Sequence, residues 1–143
     1  MTGRASVGVP TREVSVEWQG EGLLFEGRAG DRPLVLVDGE TKRAMSPMEM
    51  LLLCAAACTG TDVVIILRKQ RVGLRRLHMA ITGLRRDTEP RRYVSVHLRF
   101  TVDGEGADAD RVRRAIDLSL AKYCSVVASL APDTQVTYDL VTA

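Results

Sequence analysis

Three cysteines, Cys54, Cys58 and Cys124, are the residues of this 143-residue chain whose type and placement suit redox chemistry. Cys58 lies in an uncharged run that begins at Met50. Cys124 stands between Tyr123 and Ser125, where the pattern predicts a break between two helices. Free backbone N–H groups at the start of a new helix lower a thiol's pKa or let it reach a partner. A thiol in one helix and a second at the start of another is the arrangement that peroxide reduction needs. One thiolate attacks the O–O bond and becomes a sulfenic acid, and the other thiol condenses with it to a disulfide. The plain alternative for any of the three is a small core hydrophobe. We assign that role to Cys54, one turn nearer the helix start in a denser apolar context.

Other side chains add less. Ser46, Pro47 and Glu49 form a helix start in which the serine hydroxyl, the proline without an N–H and the returning carboxylate each meet a need of the first turn. Glu49 has a functional reading besides: a carboxylate at the head of the Cys58 helix, able to orient an arginine beside a thiolate. Arg12, Arg28 and Arg43 lie in the N-terminal third. Asp62, four residues beyond Cys58, is read as structural. His78 and His97 fall at outward positions of alternating strands. The thiols and histidines lack CxxC or HxxxH spacing, so no metal and no cofactor is expected.

Composition sets the bounds. Hydrophobic residues make up 45% and charged residues 27%, ordinary for a globular domain, while aromatics at 4% leave the core to aliphatic side chains. The net charge of +2 is too small to argue for a nucleic-acid or membrane partner. The basic clusters at Arg68–Arg71, Arg75–Arg76, Arg85–Arg86 and Arg91–Arg92 lack interleaved aromatics and any nucleic-acid motif. An odd number of cysteines without scaffold spacing, no secretory leader, and an uncharged run (Met50 to Gly60) shorter than a membrane span point to a reducing, cytoplasmic setting.

The elements that must position these residues follow from periodicity. A loose arm over residues 1–10 precedes a single domain over 11–143. Alternation predicts strands over Glu13–Trp18, Leu23–Arg28 and Pro33–Val37. The capped apolar run then predicts a helix from Ser46 to about Gly73, buried all round. Strands over Leu74–Leu84 and Tyr93–Val102 follow. A helix over Ala107–Lys122 has the stripe Val112, Ala115, Ile116, Ser119 and Leu120 and is capped by Asp108 or Asp110. Ser125 caps a short helix, and Thr134–Leu140 is a last strand. The order βββαββααβ is an α+β domain: two antiparallel sheet halves around a long buried central helix.

Ser46-Pro47-Met48-Glu49, Leu52-Leu53, Cys58-Thr59, Asp62-Val63-Val64 and Ile66-Leu67 together resemble the central-helix signature of the OsmC/Ohr family, the osmotically inducible protein C and organic hydroperoxide resistance proteins. Arg114-Ala115-Ile116, Leu118-Ser119 and Lys122 to Ser125 resemble its second cysteine motif, and Glu89-Pro90 also fits. The likeness runs from about Glu13 to Leu140 and is nearest the YhfA-like branch. It implies an intertwined homodimer that reduces organic hydroperoxides, with Cys58 peroxidatic, Cys124 resolving and Glu49 orienting an arginine. The reductant it implies is a dithiol or lipoyl-type donor. The chain departs from the family at the arginine: Leu24 stands before Phe25 where the YhfA-like pattern has one, and Arg28 or Arg43 is the candidate for that charge. A second reading of the same dimer is a module that binds a small apolar ligand or senses redox state with little turnover.

Overall fold

The structure is a computed structural model that describes residues 11–143, so the expected N-terminal arm lies outside the described residues. The chain read as one domain is built from two compact units that divide after Met50. The first holds β1 (Ser15–Trp18), β2 (Leu24–Arg28) and β3 (Val35–Asp38) in an antiparallel sheet of order β1-β2-β3. Trp18 faces Phe25 across the first hairpin, whose turn uses Gly20 and Gly22 at φ of 82° and 55°. Backbone there is left-handed, which glycine adopts without a Cβ clash. Asp38, at the end of β3, is buried and accepts from the N–H groups of Glu40, Lys42 and Arg43. Those backbone donors hold its carboxyl below the usual range and fix the loop that leads to the helix.

α1 (Pro47–Lys69) starts as its sequence dictates. The Ser46 N–H donates to Glu49 Oε1 at 2.9 Å and the Glu49 N–H donates to Ser46 Oγ at 3.1 Å, the reciprocal capping box. It stops four residues before Gly73, with Arg71 at φ 59° and the Val72 N–H returning to the Leu67 carbonyl at 3.0 Å. At 23 residues it is, by length and composition, apolar enough to cross a bilayer, a composition that the core helix of a globular fold also shows.

In the second unit β4 (Gly73–Arg85), β5 (Tyr93–Glu105) and β6 (Gln135–Thr142) form a sheet of that order. Leu77, Met79 and Ile81 of β4 stand opposite Val102, Phe100 and Leu98 of β5, and the last three are fully buried. His78 and His97 point to solvent, as the alternation requires. Here one expectation is corrected: the sheet is mixed, not antiparallel, because β6 runs parallel to β5. The physical reason is the connection. A helical crossover between the two strands returns the chain in the direction it left, whereas a hairpin reverses it.

That crossover is α2 (Ala109–Leu118), a single π-helical turn (Ser119–Tyr123) and α3 (Ser125–Ala128). Asp108 caps α2, accepting from the Arg111 N–H at 3.0 Å, and Val112, Ala115 and Ile116 are buried. Tyr138 of β6 donates to Asp117 of α2 at 2.7 Å and packs edge-on against Phe100. Burial first, and then that carboxylate, push its phenol up to about 12.

Candidate functional site

The cysteines do not share one environment. The helix expected to be buried all round is buried along one stripe only: Ala55, Ala56, Thr59, Gly60, Val63 and Leu67. Leu52 reaches Gly83, and Gly60 lies beneath Leu77 and the thioether of Met79. The opposite side leaves Leu53 and Ile65 each 45% exposed, because one chain supplies only one wall for an apolar rod. Cys58 stands at the edge of the stripe and is half-buried. Cys54 is exposed, which corrects its assignment to the core. Residues four apart drift about 40° round a helix, enough to carry Cys54 off the covered edge.

Cys124 is buried, with 4% of its surface exposed. It occupies the N-cap position of α3 that was assigned to Ser125, at φ −72° and ψ 100°, and makes no side-chain cap bond. What places it is the π turn before it: the Cys124 N–H donates to the Ser119 carbonyl at 2.8 Å, five residues back. Such a turn holds one residue more than an α turn, so it re-aims the residue that follows. Two bonds from α1 meet this segment. Ser119 Oγ donates to Asp62 Oδ2 at 2.8 Å, and Thr59 Oγ1 lies 3.2 Å from Cys124 Sγ. Cys58 is close enough to act on the Cys124 thiol electrostatically. Burial is the main cause that pushes the Cys124 thiol up; Thr59 and the Val127 backbone oppose it, and Cys58 adds to it.

The structure thus brings together Cys58 and Cys124, and it adds Thr59, Asp62 and Ser119. Asp62, read as structural, is tied to a buried serine, accepting from Ser119. Removing it strands the Ser119 hydroxyl, which is fully buried. Asp62→Ala should therefore cost about 1–3 kcal/mol of stability, measured by urea unfolding. The remaining candidates sit in the first unit and have local partners. Arg28 pairs with Glu26 at 3.1 Å, Arg43 with Glu21 at 3.1 Å, and Glu49 is engaged in its cap. Among the described residues no cluster of three or more His, Cys, Asp or Glu could hold a metal. Two open grooves flank α1. One of about 470 Å³ is walled by Ile65, Ile66, Lys69, Leu118 and Tyr123 beside Asp62, and one of about 450 Å³ by Gly60, Val64, Leu77 and Met79; neither is lined by Cys58 or Cys124.

A family model described as OsmC-like protein matches residues 39–139, most of the chain. The chain belongs to the OsmC-like family. Protein YhfA of Escherichia coli (strain K12) is 38% identical to this OsmC-like chain over 134 residues, covering 92% of it and 99% of the relative. A hypothetical protein from Aquifex aeolicus VF5 superposes with a TM-score of 0.82 at 26% identity, over 94% of this chain and 99% of its own. The organic hydroperoxide resistance protein OhrB of Bacillus subtilis superposes with a TM-score of 0.62 at 11% identity, over 92% and 98% of the two chains, which shows a shared fold.

Proposed function

We propose that this OsmC-like protein is a cytoplasmic, cysteine-based peroxidase that reduces organic hydroperoxides in defence against oxidative stress. The observation that carries the reading is the pair of thiols on separate elements, half-buried Cys58 and buried Cys124, with Cys58 near enough to bear on the ionisation of Cys124. The Cys58 thiolate attacks the outer oxygen of ROOH. The O–O bond breaks, RO⁻ leaves and takes a proton as ROH, and Cys58 becomes a sulfenic acid. Cys124 then attacks that sulfur, the S–OH bond breaks, and its own proton leaves with the hydroxide as water. An external dithiol of the lipoyl type returns the disulfide to two thiols. The family pattern places an arginine, oriented by the carboxylate at Glu49, beside the peroxide oxygens; this chain departs from the pattern at the arginine, and Arg28 or Arg43 is the candidate for that charge. Exposed Leu53 and Ile65 on α1 and Val14, Val16 and Trp18 around β1 support a homodimer, since apolar surface of this kind marks an interface.

Cys54 is an internal control for this reading. It lies on the same helix and is more exposed than Cys58, so access by itself would oxidise Cys54 first. Peptide mapping after one equivalent of cumene hydroperoxide should find a Cys58–Cys124 disulfide and an unmodified Cys54. Thiol loss at Cys58 no faster than at Cys54 would remove the peroxidase. The apolar groove beside Asp62 favours the second reading, a dimer that binds a small apolar ligand with little turnover. Ligand retained by Cys58→Ser, in a protein without measurable peroxide turnover, would establish it.

A further inference from the structure

Thr59 makes two contacts that compete for one hydrogen. Its hydroxyl donates to the Ala55 carbonyl, one turn back, at 2.9 Å, and the same oxygen lies 3.2 Å from Cys124 Sγ. A hydroxyl has a single hydrogen and two lone pairs. With that hydrogen committed to Ala55, the hydrogen in the second contact is the thiol's own: Cys124 S–H donates to Thr59. The contact therefore fits Cys124 as a thiol. It changes sense when the thiol ionises, because a thiolate can only accept. Thr59 is fully buried, and so is its contact with the sulfur. The Ala55 bond is dispensable, since hydroxyl back-bonding of this kind adds little to a helix carbonyl.

We propose that Thr59 is the positioning residue of the resolving step: its hydroxyl turns from the Ala55 carbonyl to Cys124 Sγ as negative charge develops there. The inference rests on the peroxidase reading for the step it serves. In that step a new S–S bond forms between Cys124 and the Cys58 sulfenic acid, the S–OH bond breaks, and the Cys124 proton leaves with the hydroxide as water. Before the attack Thr59 accepts from the thiol and aims the sulfur across the gap to Cys58. During it the turned hydroxyl supplies a donor where burial excludes water. The direction is consistent with Thr59 easing ionisation of a thiol that burial resists. Of the ionisable groups nearby, Cys58 bears directly on Cys124, and Asp62 is engaged by Ser119.

Two measurements test this. In a Cys54→Ser, Cys58→Ser protein, Cys124 is the sole thiol, and its ¹³Cβ shift reports its ionisation whether or not the protein is a peroxidase. Adding Thr59→Val, which keeps the branched shape and removes the hydroxyl, should raise the midpoint by about one pH unit; Thr59→Ser should return it. An unmoved midpoint overturns the proposal, and Thr59→Ala serves if the valine variant does not fold. In the full chain, single turnover with cumene hydroperoxide should show disulfide formation slowed about tenfold relative to sulfenic acid formation in Thr59→Val, with recovery in Thr59→Ser. An unchanged ratio of the two rates also overturns it. A wild-type protein that forms no sulfenic acid would instead end the peroxidase reading, while the shift titration still decides the role of Thr59.

Discussion

Cys58→Ser should abolish the hydroperoxide-driven oxidation of Cys124, by roughly three orders of magnitude or more, while Cys124→Ser should still consume one equivalent of peroxide and stop at a sulfenic acid. The asymmetry follows from the two environments. Cys124 is 4% exposed and burial pushes its thiol up, so it holds its proton at neutral pH and gives a peroxide little access. Cys58 is half-buried and open to a reactant. A serine hydroxyl at position 58 is a far weaker nucleophile toward oxygen than a thiolate. The products separate the cases. Cys124→Ser should gain one oxygen by intact mass, react with a dimedone-type probe at Cys58 and pass on to sulfinic acid under excess peroxide. Equal peroxide consumption by the two serine variants would contradict the assignment of roles.

Element order was legible because each local signal agreed with the fold. The capping box at Ser46 and Glu49 formed as written, and the alternation of Val96, Leu98, Phe100 and Val102 became the buried face of β5. The direction of β6 was not legible. Alternation reports which face a residue takes and is the same for parallel and antiparallel strands; only the helical crossover decides. The one-sided burial of α1 was hidden for a related reason. An apolar run states that a helix needs covering, and says nothing of whether its own chain covers every side.

At the site, cysteine identity and order were readable, and their proximity was not, since it depends on a π turn with no composition of its own. The pattern over Ala107–Lys122 reads as one continuous helix. Only the packing of Ser119 on Asp62 reveals that its last turn widens and swings Cys124 towards α1. Thr59 was missed because a threonine beside a cysteine is unremarkable in a helix. Its signal is the pair of distances, which exist only once the second element arrives.

Gly104→Ala should be strongly damaging, at about 2–4 kcal/mol of stability lost in urea unfolding. A Cβ built on Gly104 would lie 2.5 Å from the Gly73 carbonyl oxygen and 2.8 Å from the Leu74 Cα, both backbone atoms of the facing strand. Those atoms are held by the β4–β5 ladder next to its register shift between Leu74 and Arg76, so they cannot yield without opening the strand pair. Gly60 is the contrast. Its added Cβ would meet Met79 Cε at 2.5 Å, the free end of a flexible thioether, and alanine favours a helix over glycine by about 1 kcal/mol. Gly60→Ala should therefore fall within about 1 kcal/mol of the parent, and equal losses at the two positions would refute the backbone argument. The damage at Gly104 should also travel. Its carbonyl accepts the Ala107 N–H immediately before the Asp108 cap, so the helix that ends in the π turn, and with it Cys124, is anchored at this glycine.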